Sequence, residues 1–175
     1  MPVLYLIGSA TPPVTQCEKG IKLAQDEGWT VCLVLTPSAA TWRAADLDGL
    51  EKLTGYPVRS QYKMYGEPDV LPPADAMLAA PVGLNTLAKW ALGIPDTLAL
   101  GLLTEAIGKK LPLVALPYLN NAQADHPAFA GHIAVLEAAG VNVMLGDGGH
   151  TPHGPGQGNK DAFAWHNAIS QLPTI

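Results

Sequence analysis

The chain has 175 residues, enough for one well-buried core and too few for two cores of ordinary size. Apolar residues make up 48% and charged residues 14%, the formal net charge is -5, and no basic cluster exceeds Lys109-Lys110, which excludes a nucleic-acid footprint. Two cysteines, Cys17 and Cys32, exclude a disulfide framework and a cysteine-built zinc site and fit a reducing compartment.

The apolar opening Val3 to Ile7 has no positively charged flank and is far too short to span a membrane, so it reads as the first strand of a cytoplasmic protein. Further continuous apolar runs follow at Thr30 to Leu35, Ala76 to Ala80, Leu113 to Leu116 and Val141 to Met144, the pattern of strands covered on both faces. Pro57 to Tyr62 reads as an additional short strand. Between the first two strands, Val14, Cys17, Ile21 and Ala24 recur at helical spacing and Gly28 supplies a stop. Helices are also expected over Ala44 to Leu53, Leu84 to Leu92, Asp96 to Ile107, Pro127 to Ala139 and Asp161 to Gln171. Such alternation specifies an α/β fold: a Rossmann-like, doubly wound parallel sheet with helices on both faces. Residues 1–145 form the expected core, 161–175 add a terminal helix, and Gly146 to Lys160 is so rich in Gly and Pro that it reads as a mobile loop or a clamp ordered by a ligand or partner.

Ligands of such sheets bind beyond the carboxyl ends of the strands, so the loops there are the candidate site. After the first strand, Gly8-Ser9-Ala10-Thr11 is a small-residue turn into a helix, suited either to a phosphate or to ordinary capping. No glycine follows Gly8 until Gly20, and the phosphate-loop pattern of nucleotide-hydrolysing proteins is missing. The second strand ends in Thr36-Pro37-Ser38, whose hydroxyls suit a ribityl chain, a phosphate or a helix cap. Ala80-Pro81-Val82-Gly83-Leu84-Asn85-Thr86 turns a strand sharply into a helix and places an amide and a hydroxyl at the helix start.

This last segment, continued by Lys89, Ala91, Gly93 and Asp96-Thr97-Leu98, resembles the Pro-Ala-Ser-Ala-Asn-Thr region of the flavoprotein family of cysteine decarboxylases. That family includes phosphopantothenoylcysteine decarboxylases and lantibiotic peptidyl-cysteine decarboxylases. Val3 to Trp42 resembles the family's opening unit, and Pro117-Tyr118-Leu119-Asn120 stands where the family has Pro-Ala-Met-Asn. The resemblance implies FMN at an interface between subunits of a homotrimer or a multiple of trimers, and a small-molecule substrate. It places Gly8, Ser9, Ala10, Thr36, Ser38, Pro81, Gly83, Asn85 and Thr86 around the cofactor, with Trp42 as a neighbour of the ring, and gives Asn120 the substrate carboxylate. Val82-Gly83-Leu84 departs from the small and hydroxyl residues usual there.

The resemblance also implies a histidine base shortly before Ala74-Asp75, but all five histidines follow residue 125. Tyr65, Gly66, Glu67, Pro68 and Asp69 stand there instead, and Glu67 is the candidate replacement base, provided that burial raises its basicity. The clamp cysteine of the phosphopantothenoylcysteine enzymes is absent from Gly146 to Lys160, while His150 and His153 lie there as candidate acids or bases. The expectation is a flavin-dependent oxidation of a thiol or carboxylate compound with possible decarboxylation; the alternative is a catalytically silent FMN-binding or regulatory protein.

Overall fold

The computed structural model describes residues 1–175. Five parallel strands, β1 (Val3–Gly8), β2 (Thr30–Leu35), β3 (Ala76–Val82), β4 (Leu113–Pro117) and β5 (Val141–Val143), lie in the order β2-β1-β3-β4-β5. The strand order reverses between β1 and β3, which makes their carboxyl ends the switch point of the sheet. Alternate residues of each strand enter opposite layers. Tyr5, Ile7, Met77 and Ala79 pack with α4 (Leu84–Leu92), α5 (Leu98–Gly108) and α7 (Phe129–Ala138). Leu4, Leu6, Leu33 and Leu78 face the other layer, with α1 (Cys17–Asp26), α3 (Leu47–Thr54) and α8 (Trp165–Ser170). Two short helices, α2 (Pro37–Trp42) and α6 (Asn121–Ala124), follow the ends of β2 and β4. No helix is long and apolar enough to cross a membrane.

Several expected elements differ at their edges. Pro57 to Tyr62 is not a strand: only Arg59 pairs, across one rung to Val34, with Leu35 N–H donating to Arg59 O at 2.8 Å. Pro57 has no N–H to offer the edge strand, which shortens any ladder there. Ala44–Asp46 forms a 3-10 turn before α3, which stops at Gly55 with φ of 77°. Val14 lies in a 3-10 turn, Pro12–Gln16, ahead of α1. Helix α5 starts at Leu98, because the Thr97 side chain caps it by accepting from Leu100 N–H at 3.2 Å.

Arg43 fastens the turns on the β1 and β2 side. Only 3% exposed, it donates to Val14 O at 2.7 Å and to the carboxylates of Glu18 and Asp46. Burial opposes its charge, but its bonds to Glu18 and the nearby thiol and carboxylates outweigh that and raise its pKa.

The Gly146–Lys160 segment is likewise fixed from within the chain. His150 is buried with Nε2 2.8 Å from Leu119 O and 3.1 Å from Leu119 N, and Asn121 N–H donates to His153 O at 2.7 Å. Asn167 Nδ2 holds Gly148 O at 2.9 Å. Glycines allow these close approaches: a Cβ on Gly149 would collide with the Met144 backbone. Contacts within the chain thus tie the loop to the turn after β4, to α6 and to α8.

Replacing Arg43 with Met strands Val14 O and leaves Glu18 to rehydrate at its half-exposed position, so a loss of about 2–3 kcal/mol is expected in urea denaturation; an unchanged midpoint would contradict the clamp. Burial lowers the pKa of His150 from its ordinary 6.5, with the Leu119 bond opposing and His153 adding to the fall. The unfolded chain then takes up the proton first, so this stability is complete above about pH 6.5 and is lost as pH falls further. Denaturation midpoints between pH 8 and pH 5 should decline less in His150→Gln than in the parent, and parallel declines would remove His150 as the cause.

Candidate functional site

The end of β1 closes against the end of β3. Ser9 N–H donates to Pro81 O at 2.8 Å, and the buried Ser9 hydroxyl donates to Thr86 Oγ1 at 3.1 Å. Gly8 permits the following 3-10 turn to fold back, because a Cβ there would lie 2.9 Å from Val14 and 3.1 Å from Leu35. Thr36 N–H donates to Gly8 O at 2.9 Å, which ties in the end of β2, while the Thr36 hydroxyl accepts from Ala39 N–H and caps α2.

Helix α4 starts at Gly83 with no side-chain cap, and its first interior bond is Leu87 N–H to Gly83 O at 3.0 Å. The N–H groups of Leu84, Asn85 and Thr86 therefore face outward along the helix axis without intrahelical acceptors. Beside them, Thr11 Oγ1 is buried without a partner, and its methyl would lie 3.1 Å from a Cβ at Gly83. No Asp or Glu occurs in residues 1–17, 36–45 or 76–95. The hollow thus offers hydroxyls, amide donors and an unspent threonine hydroxyl with no competing carboxylate. That donor set fits a phosphate-bearing group, and the apolar strand ends fit a ring.

The structure joins Gly8, Ser9, Thr36, Pro81, Gly83 and Thr86 through these contacts. Ala10 packs half-buried against the core, while Ser38, Asn85 and the 52%-exposed Trp42 stand on the open rim and make no side-chain hydrogen bond. A groove of about 640 Å³ lies elsewhere, between α5 and the 59–74 segment, lined by Tyr5, Tyr62, Leu71, Met77 and Leu102. We place the site at the strand ends because the converging donors are there, not in that groove.

Asn120 reaches the same edge from β4. Val82 pairs with Pro117, Tyr118 N–H donates to Val82 O at 3.0 Å, and Asn120 then starts α6. Its Oδ1 accepts from Gln123 N–H at 2.9 Å while Gln123 Oε1 accepts from Asn120 N–H at 3.1 Å. With the oxygen so engaged, the amide NH₂ is the group left free to meet a carboxylate.

Glu67 does not share this site. It is exposed, its carboxylate accepts from Met64 N–H at 2.9 Å, and the burial on which a basic role depended is absent. A local turn claims it instead. Beside Asn120, Tyr118 lies 5.0 Å from the His153 ring and 5.2 Å from the His150 ring, with Phe163 at 6.1 Å. Burial raises the Tyr118 pKa, so the phenol remains a neutral donor. Both cysteines are buried, and burial pushes Cys17 up to about 12 and Cys32 up to about 11, so neither supplies a thiolate. His126 accepts from Ala128 N–H at 3.1 Å, a turn contact ahead of α7.

Comparison with known proteins agrees with this fold. The family model described as flavoprotein matches residues 21–161. Over 67 residues, 38% of this chain and 32% of the relative, the sequence is 43% identical to phosphopantothenoylcysteine decarboxylase of Mus musculus, so the match spans about a third of that relative's length. The solved structure of the cypemycin decarboxylase CypD superimposes with a TM-score of 0.71 at 16% identity, covering 98% of this chain and 92% of that one. The FMN-dependent cysteine decarboxylase SpaF gives 0.67 at 21% identity, covering 82% and 83%. A match over most of the chain settles the kinship: this protein belongs to the flavoprotein family.

Proposed function

We propose that the chain binds FMN at the carboxyl ends of β1, β2 and β3 and acts on a small compound bearing a thiol and a carboxylate, with decarboxylation as the outcome. The observation that carries this reading is the convergence of Ser9, Thr11, Thr86 and the uncapped start of α4 on one acid-free hollow, one strand away from the free amide of Asn120. SpaF is FMN-dependent, and the mouse relative is a decarboxylase of a cysteine derivative, which supports the same class.

When bound, FMN supplies a hydride acceptor for carbon next to sulfur. The residues of the chain do the rest. Hydroxyls of Ser9 and Thr86 and the α4 amides hold the phosphate, where helix-end donors favour negative charge. Asn120 donates its NH₂ to the substrate carboxylate and fixes its direction, since capping of α6 locks the side chain. Tyr118 and Leu119 are buried and exclude water from the place where the carboxylate leaves.

Tyr65, Met64, Leu92 and Ile94 are exposed apolar groups. Assembly into trimers, which covers such groups and closes the site from a neighbour, belongs to this proposal.

Peptides ending in cysteine and phosphopantothenoylcysteine should lose the mass of carbon dioxide on incubation with the flavin-loaded protein, as read by mass spectrometry. Absence of that loss for every thiol substrate would withdraw the decarboxylase assignment while leaving the flavin site standing. Asn85→Asp adds negative charge beside the α4 amides and should lower flavin occupancy after purification by about tenfold, a change equal to roughly 1.4 kcal/mol. Full occupancy in that variant would displace the site.

A further inference from the structure

The geometry points to His153 as the proton acceptor for the substrate thiol, the part for which the sequence offered no histidine before Ala74-Asp75. This inference rests on the substrate class proposed above and names the residue that would serve it.

Three observations converge. First, the tautomer is fixed: His153 Nδ1 lies 2.9 Å from Gly154 O, and a carbonyl only accepts, so Nδ1 carries the hydrogen and Nε2 keeps a lone pair. Second, that Nε2 is buried and has no hydrogen-bond partner. An unsatisfied acceptor of this kind opposes folding and calls for an explanation, and a proton to be received is one. His150, which stands 5.6 Å away ring to ring, is already committed to Leu119. Third, the chain sets His153 beside the carboxylate-binding candidate: Asn120 and His153 pair as neighbours across a parallel bridge, and Asn121 N–H donates to His153 O at 2.7 Å. Bridge partners lie about 5 Å apart, a separation that one compound with a thiol and a carboxylate can span.

Tyr118 packs against the imidazole at a tilt of 53°, and Gly158 covers the place where the two rings meet. A Cβ on Gly158 would press on the Tyr118 hydroxyl and lie 2.8 Å from Nε2, so only glycine fits. The cover is the turn Gly154 to Gly158, closed by Gln157 N–H donating to Gly154 O at 2.9 Å and exposed from Pro155 onward. Water is kept from Nε2 by a short surface turn that an incoming ligand can displace. In the step itself, the S–H bond breaks, the electron pair stays on sulfur, and the proton forms an N–H bond at Nε2. The resulting imidazolium is held at Nδ1 by Gly154 O.

The test uses ¹⁵N-histidine NMR on the whole protein, kept anaerobic with any flavin reduced by dithionite so that no turnover occurs. Without ligand, His153 should show the Nδ1–H tautomer; an Nε2–H tautomer overturns the assignment. A peptide ending in cysteine should bring a proton onto Nε2, and the same peptide ending in serine should not. Binding of the cysteine peptide with Nε2 still unprotonated overturns the role of His153 and leaves the proposed substrate class intact. Failure of the cysteine peptide to bind at all overturns that class, and this role with it. In the oxidised enzyme, His153→Gln should lower turnover by about a hundredfold or more while peptide affinity stays within a few-fold; undiminished turnover counts against a proton acceptor at this position.

Discussion

The structure depends on the ends of two neighbouring strands being brought into contact without side chains between them. Parallel strands send all their carboxyl ends to one edge, and where the order reverses the chain must leave β1 and β3 in opposite directions. Here the two exits are locked by Ser9 N–H on Pro81 O and by the Ser9 hydroxyl on Thr86. Gly8 and Gly83 leave no room for more: a Cβ at either would meet Val14 and Leu35, or Thr11. The hollow is therefore framed by backbone and by the Ser9, Thr11 and Thr86 hydroxyls, and its donors are held in place before any ligand arrives, which spares the cost of ordering them on binding.

The second half of the site comes from farther along the chain. The strand after α5 delivers Tyr118, Leu119 and Asn120 to the same edge, and residues 146–160 return to cover them. One imidazole, His150, does most of the fastening through the Leu119 backbone, and the other, His153, is left with an idle nitrogen. The segments that end β1, β2 and β3 carry no Asp or Glu, so an anionic ligand in the hollow meets neutral donors there.

The sheet was legible because strands buried on both faces must be continuously apolar, and Leu4, Leu33, Leu78 and Leu116 obey that rule. Likewise the Gly83-Leu84-Asn85-Thr86 turn could be read locally, since a strand-to-helix corner has few solutions. What escaped was set by partners distant in sequence. Arg43 gave no sign of its burial, because Glu18, 25 positions earlier, is recognised as its partner only once the turns have folded. The composition of Gly146 to Lys160 gave no sign of its tie to Leu119, 31 residues before His150. Glu67 was chosen for its place in the chain, and place alone did not supply burial. Asn120 was legible by resemblance, whereas the capping bonds that aim its amide were not.

The central claim is that this hollow recognises a phosphate attached to a flavin ring, and the most direct measurement is quenching of flavin fluorescence as flavin-free protein is titrated into FMN and, separately, into riboflavin. The account predicts saturable binding of FMN, at least tenfold weaker binding of riboflavin, and a loss of that difference in Thr86→Val, since each charge-assisted bond to phosphate contributes about 1.5–3 kcal/mol. Equal affinity for the two flavins, or no uptake of FMN, would contradict it.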